Sequence, residues 1–265
     1  MKTFRDIAVE RHGHVALIEI RRPPHNFFDI VLINEIADAL EEIDKDIELR
    51  ATVLASDGKS FCAGANFGDG SQLSKEGMRP GESARDTSGS LYMQAVRLFR
   101  AKKPIIGAIH GPAIGGGLGL ALVPDFRVTC PEARFATNFT RLGFHPGFGL
   151  TTTLKELVGP TKAALMFYTS RRVGGEEAVA MGLADVLVPL EQVRATALAL
   201  AKEISENAPL AVMATRATMR QGLADRVRAA TEHELNQQTE LRASEDFKEG
   251  VRAVHERRTP VFKGR

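Results

Sequence analysis

Two glycine-bearing loops are the parts of this sequence best suited to chemistry: Cys62-Ala63-Gly64-Ala65-Asn66 and Gly115-Gly116-Gly117. Glycine lets a main chain approach a ligand with no Cβ in the way. The first N–H groups of a helix, moreover, have no partner within that helix. Two such groups converging on one oxygen form an oxyanion hole, each donor contributing roughly 3–4 kcal/mol to a reaction that develops negative charge. A thioester enolate or a tetrahedral intermediate suits such a hole. The competing reading is structural, with both loops as tight turns that need positive φ.

Other glycine chemistries do not fit the spacing. Gly115-x-Gly117 opens a dinucleotide fingerprint, but its sixth position is Leu120 and no acidic residue follows a second strand at the required distance. The full phosphate-loop pattern G-x-x-x-x-G-K-S/T and the nucleophile elbow G-x-S-x-G are both absent.

The elements that must position these loops can be read from periodicity. Residues 104–124 (PIIGAIHGPAIGGGLGLALVP) hold six glycines, three prolines and one ionisable side chain, His110. A β-like run from Pro104 to His110 feeds a turn at Gly111-Pro112, and the glycines open an apolar segment from Leu118 to Val123. Its length would allow a membrane span, but its glycines and prolines argue against one continuous helix. Upstream, residues 4–10 and 14–20 alternate around a His12-Gly13 hairpin turn. Asp29 caps a helix carrying Ile33, Ile36, Leu40, Ile43 and Ile47. Ala51 to Ala55 is a short buried strand. Residues 68–89 carry almost no large apolar side chain and read as a surface loop, either a lid or a plain connection. A helix is expected over 90–101, strands at 126–130 and 185–189, and helices at 151–158 and 174–182.

Strand, glycine loop and helix thus recur, which predicts an α/β layered body over residues 1–205. After Pro189 only helical periodicity remains, over 191–205, 209–221, 224–241 and 244–256. Residues 206–265 therefore form a helical C-terminal region. The segment 224–241 is too polar for a core helix and is expected to be solvated or to pack on a neighbouring subunit.

Composition bounds the alternatives. The 265 residues carry 35 basic and 33 acidic side chains, a balance that gives no argument for nucleic acid. Cys62 and Cys130 lack metal-ligand spacing and are expected to be buried reduced thiols. The first residues lack an unbroken apolar run, so no signal peptide is read and a cytoplasmic protein is expected. No metal site or resident cofactor is expected.

FCAGAN, KPIIGAIHGPAIGGGLGLALVPDFRV, FATNFTRLGFHPGFG and the ending ERRTPVFKGR resemble the enoyl-CoA hydratase/isomerase (crotonase) superfamily. The resemblance runs over essentially the whole chain. It implies a crotonase-like α/β spiral of repeated ββα units, a helical C-terminal trimerisation region, a homotrimer or dimer of trimers, and an acyl-CoA substrate. Coenzyme A would enter only as part of that substrate. The two oxyanion N–H donors fall on Ala65 and Gly116, and Ala63 matches the position whose carbonyl meets the adenine. Lys59 matches a basic position near the CoA phosphates, and Arg257 one that reaches a neighbouring subunit's CoA. His25, Asn66, Phe67, Ile114 and Asn138 fall along the substrate site. Asn66 stands where the family commonly has Asp. His110 and Asp125 match structural positions.

The chain departs from the family where protons are moved. The hydratases resembled use two glutamates; the corresponding positions here are Gly119 and Phe139, and the neighbours Asn138 and Thr140 are not acids. General acid–base catalysis supplies about 10²- to 10⁴-fold per group, so ordinary hydration is not expected to run well. Three readings follow. One is an acyl-CoA enzyme, lyase or isomerase, with a non-standard proton-transfer set. Another is a hydrolase, C–C bond-cleaving or decarboxylating member that uses His145 or no protein base, as the β-diketone-cleaving branch uses a histidine. The third is a non-catalytic acyl-CoA binder. Asp69, Glu76 and Asp86 of the long loop are further acids, with nothing to single one out. Phe139 suggests an apolar pocket wall.

Overall fold

A computed structural model describes residues 3–66 and 91–265. The alternating N-terminal segments form an antiparallel hairpin, β1 (Ile7–His12) and β2 (Val15–Ile20). From β2 onward the sheet is parallel, through β3 (Ala51–Ser56), β4 (Ile105–Ile109), β6 (Phe126–Thr129) and β9 (Val186–Leu187), in the order β1-β2-β3-β4-β6-β9. β2, β3 and β4 are buried along their whole lengths, as expected for parallel strands covered on both faces. A second sheet, in the order β5-β7-β8, is built from β5 (Ala113–Ile114), β7 (Arg134–Ala136) and β8 (Val173–Gly174). Strands this short carry no readable alternation, and sequence patterning does not predict them.

Helix α1 (Ile30–Lys45) buries Ile33, Ile36, Leu40 and Ile43, and the Asp29 carboxylate accepts from Leu32 N at 3.0 Å as its cap. Such a cap contributes about 1 kcal/mol. The expected helix at 90–101 is helical over 91–95 and then tightens into a 3-10 turn, Val96–Arg100. Next come α2 (Gly116–Ala121), α3 (Leu150–Val158), α4 (Pro160–Thr169) and α5 (Gly175–Met181). The sequence reading has no α4, although Pro160 at its first position is a start signal. Helix α6 (Val193–Ser205) lays Val193, Ala197 and Ala201 against the sheet.

The C-terminal helices are α7 (Pro209–Met219), α8 (Leu223–Leu241) and α9 (Glu245–His255). Asp125 joins α7 to the body: its carboxylate accepts from Ile105 N, Arg216 Nε and Arg220 Nη1 at 2.8, 2.8 and 2.7 Å. Helix α8 corrects the expectation that its polarity keeps it off the core of its own chain. Val227, Thr231, Glu234 and Gln238 are buried along one face. The turn into α3 and the first turn of that helix meet two side chains of that face. Glu234 accepts from Gly149 N, Thr151 N and Thr151 Oγ1 at 2.7, 2.9 and 2.6 Å, and Gln238 Nε2 donates to His145 O at 2.9 Å. Polar side chains can be buried when backbone meets them.

Both cysteines are free and buried, and burial pushes the Cys62 thiol up to about 12, so it stays protonated. Among the described residues no helix is long and apolar enough to cross a membrane.

Candidate active site

The loops after β3 and β4 are sewn together along their backbones. Cys62 pairs with Ala113 as a parallel bridge; Cys62 N donates to Pro112 O at 3.1 Å and Ile114 N to Cys62 O at 3.0 Å. Gly115 N donates to Ala136 O of β7 at 2.8 Å. On the other side, Ala63 N donates to His25 O and Phe28 N to Gly64 O, both at 3.0 Å. This proximity dictates glycine at two positions. Gly64 has φ +77°, and a Cβ there would lie 2.6 Å from Ile114 O; at Gly117 a Cβ would lie 2.0 Å from Cys62 O.

The same point at Gly64 lies 3.5 Å from the nitrogens of both Gly116 and Gly117. The neighbouring Ala65 is thereby brought beside the start of α2. Neither Ala65 N–H nor Gly116 N–H donates to an acceptor among the described residues. Two unpaired donors on adjacent loops can receive one anionic oxygen.

Aromatic rings surround the triplet. A Cβ at Gly116 would meet the Phe28 ring at 2.3 Å, one at Gly115 would meet Asn138 Oδ1 at 2.9 Å and Phe139 Cζ at 3.7 Å, and one at Gly119 would meet the Phe148 ring at 2.6 Å. Phe148 packs against Phe28, Tyr92 and Phe99 with centroids 5.9, 6.1 and 6.5 Å apart. It does so from φ +67°, a backbone region costly for an aromatic residue. Phe139 meets Phe144 edge-on at 5.5 Å. Among the described residues, none of the side chains nearest these three glycine positions is ionisable.

The residues singled out by sequence fall in three places. Ala63, Ala65, Asn66, Ile114 and Asn138 are half-buried about the paired loops, with Gly116, Gly119 and Phe139 buried behind them. His25 and Lys59 are exposed on an adjoining ledge, where Lys59 N donates to Pro24 O at 2.8 Å and His25 Nδ1 lies 3.3 Å from Ser60 Oγ. Arg257 is exposed beyond α9, its N–H donating to Val254 O at 3.2 Å. Phe67, Asp69, Glu76, Asp86 and the 68–89 loop lie outside the described residues. His145 is half-buried; its Nδ1 lies 2.8 Å from Pro146 O and its ring stands edge-on to the exposed His233 at 6.1 Å. His110 is held structurally, Nε2 lying 2.9 Å from Gly58 O.

Sequence reasoning missed Phe28, Tyr92 and Phe148. The signal for Phe148 was its place between Gly147 and Gly149, where an aromatic in a glycine turn is unusual. Glu234 was also missed. It sits behind Gly149, and burial raises its carboxyl to about 7 against three opposing hydrogen bonds.

The model of the enoyl-CoA hydratase/isomerase family matches residues 10–265. The chain belongs to that family. This enoyl-CoA hydratase/isomerase homologue is 31% identical to a short-chain-enoyl-CoA hydratase of Clostridium acetobutylicum, over 99% of each chain. It is 31% identical to a 2,3-dehydroadipyl-CoA hydratase of Escherichia coli, over 98% of this chain and 99% of the other. Among solved structures it is similar to a carnitinyl-CoA hydratase from Mycobacterium avium, with a TM-score of 0.82, 33% identity, and 99% and 100% of the two chains covered. An enoyl-CoA hydratase/isomerase from Pseudoalteromonas atlantica superposes with a TM-score of 0.85 at 27% identity, over 98% and 100%. The two sheets and their helices are therefore the crotonase fold.

Proposed function

We propose that this family member binds an acyl-CoA thioester and stabilises its enolate between the N–H groups of Ala65 and Gly116, with no protein carboxylate at the two places where the resembled hydratases carry one. The observation that carries this reading is the pair of unpaired N–H groups on adjacent loops, backed by phenylalanine rings. Such a site lowers the energy of an enolate without itself moving a proton. Ala63, His25 and Lys59 on the adjoining ledge would meet the CoA, with Asn66, Ile114 and Asn138 lining the thioester's approach. Association into a trimer or dimer of trimers belongs to the same reading. The exposures of Leu210, Met219 and Val261, at 73%, 83% and 67%, support it.

The side chains around the triplet favour a second reading of the reaction itself. Among the described residues no acid or base stands beside the triplet, and a substrate that supplies its own driving step, as a malonyl-type thioester does by losing carbon dioxide, needs only the hole. His145 as the base of a C–C bond-cleaving reaction is the other form of this reading.

The experiment is a spectral and turnover panel. A bound dienoyl-CoA chromophore should shift to longer wavelength as the two N–H groups polarise its carbonyl. Crotonyl-CoA hydration should run far below the rates of about 1–10³ s⁻¹ usual for enzymes. Hydration at such rates would overturn the missing-carboxylate reading. Failure of every acyl-CoA to bind would overturn the substrate class. An unchanged rate in His145→Ala on any cleaved substrate would remove His145 from the chemistry.

A further inference from the structure

Asn26 is completely buried and stands at φ +50°, in the left-handed region that asparagine tolerates better than most residues. Its side-chain amide is fully used. Oδ1 accepts from Arg22 N at 2.9 Å, and Nδ2 donates to Asp57 O at 2.5 Å and to Ser60 O at 2.7 Å. Asn26 N in turn donates to Arg22 O at 2.9 Å. One amide thus closes the 22–26 turn on itself and ties it to the turn that follows β3. A buried asparagine that only stapled these two turns would be an ordinary structural residue. The neighbours of Asn26 give it a further role.

The direct pairing of the two glycine loops runs through Cys62 and Ile114. Past that point the first loop is carried by the segment that Asn26 anchors. Pro24 O accepts from Lys59 N at 2.8 Å and from Ser60 N at 3.2 Å, while Ala63 N donates to His25 O and Phe28 N to Gly64 O, both at 3.0 Å. The same segment reaches the second loop through Phe28, whose ring occupies the place where a Cβ at Gly116 would stand. Residues 24–28 therefore hold the chain immediately before Ala65 and also lie against Gly116. They set the separation of the two N–H donors, and the Asn26 amide fixes them in place. An oxyanion hole works only when its donors lie at hydrogen-bond distance from one point, and a misplacement on the order of 1 Å costs about 10²-fold.

We propose that Asn26 is a positioning residue for the enolate site: by locking residues 24–28 it holds Ala65 N–H at the distance from Gly116 N–H that one thioester oxygen needs. The inference rests on the enolate reading above. Asn26→Asp keeps the size and the acceptor but turns an oxygen toward the two carbonyls that Nδ2 now meets. Asn26→Gly suits the backbone and leaves both carbonyls without that donor. Either variant releases the 24–28 segment, and with it the spacing of the hole.

The test is the red shift of a dienoyl-CoA read at saturating protein, where it reports polarisation of the bound carbonyl and not affinity. Both variants should show about half the wild-type shift or less, as expected when one of two donors no longer reaches the oxygen. Asp125→Ala is the control for lost stability: it loosens α7 at Ile105, the end of β4 away from the glycines, and should keep the full shift. A wild-type shift in either folded Asn26 variant would overturn the inference, as would an equal reduction in Asp125→Ala. Failure of both Asn26 variants to fold, read by circular dichroism, would also overturn it, by making Asn26 a residue of the fold and not of the hole. Loss of all binding in the folded variants would assign Asn26 to the ledge of His25 and Lys59, with the same consequence. If the wild-type protein itself binds no dienoyl-CoA, or binds it without a red shift, the enolate reading fails instead.

Discussion

Phe148 occupies the space into which a side chain at Gly119 would project: a Cβ built at Gly119 lies 2.6 Å from both Cγ and Cδ1 of that ring. The two residues are complementary, because the ring can lie there only while position 119 has no side chain. Phe148 is 1% exposed and reaches the place from a left-handed backbone, so its burial offsets a conformational cost.

Gly119→Glu alone should therefore destabilise the protein by several kcal/mol, since neither the buried ring nor the carboxylate has anywhere to go. Gly119→Glu combined with Phe148→Ala should be the more stable of the two variants in denaturant unfolding. It should also gain crotonyl-CoA hydration of about 10²-fold over the wild type. A single Gly119→Glu variant as stable as the wild type would contradict the filled space.

Gly117→Ala should separate the two loops, because its methyl would meet the Cys62 carbonyl at 2.0 Å and that carbonyl holds Ile114 N. The variant should lose acyl-CoA binding along with more than about 3 kcal/mol of stability. Gly182→Ala is the control: its φ is +84° but nothing lies within 4 Å. It should cost only about 1 kcal/mol and leave binding unchanged. A loss in Gly117→Ala no larger than that in Gly182→Ala would show that the close approach to Cys62 O does not decide position 117.

Glu234 gives the fold a pH dependence whose sign can be worked out. Its folded pKa of about 7 stands above its ordinary 4.5, so the native state holds the proton more tightly than the unfolded chain does. The contribution is therefore complete below about 4.5 and is lost as pH rises through about 7. Glu234→Gln removes this titration. Its stability relative to the wild type should rise across that window by about 3 kcal/mol. Unfolding free energies of the two proteins that run parallel in pH would exclude the effect.

Asp125→Ala should leave Arg216 and Arg220 without the carboxylate that both now meet. Removing one partner of a largely buried ionic cluster costs about 3–5 kcal/mol, and α7 should lose hydrogen-exchange protection before the sheet does. A cost below about 1 kcal/mol, the range of exposed pairs, would place the cluster in solvent.

The sequence by itself determined the β1–β2 hairpin, α1 with its Asp29 cap, the buried β3 and β4 strands and the order of the two glycine loops. Each of these is a local pattern: alternation, a helical stripe with a capping residue, or a backbone that tolerates no Cβ. It also carried the resemblance to the enoyl-CoA hydratase/isomerase family and the glycine and phenylalanine at positions 119 and 139. Tertiary structure alone decided what fills those places and what surrounds them. The ring at 148 enters the space at 119 because two helices and a glycine turn meet there, and no spacing along the chain records that meeting. Likewise the polarity of α8 reads as solvation in one dimension, yet Glu234 is buried because Gly149 and Thr151 present three donors to it from 83–85 residues away. Hydrogen bonds of that reach depend on where the chain returns, and periodicity holds no information about return.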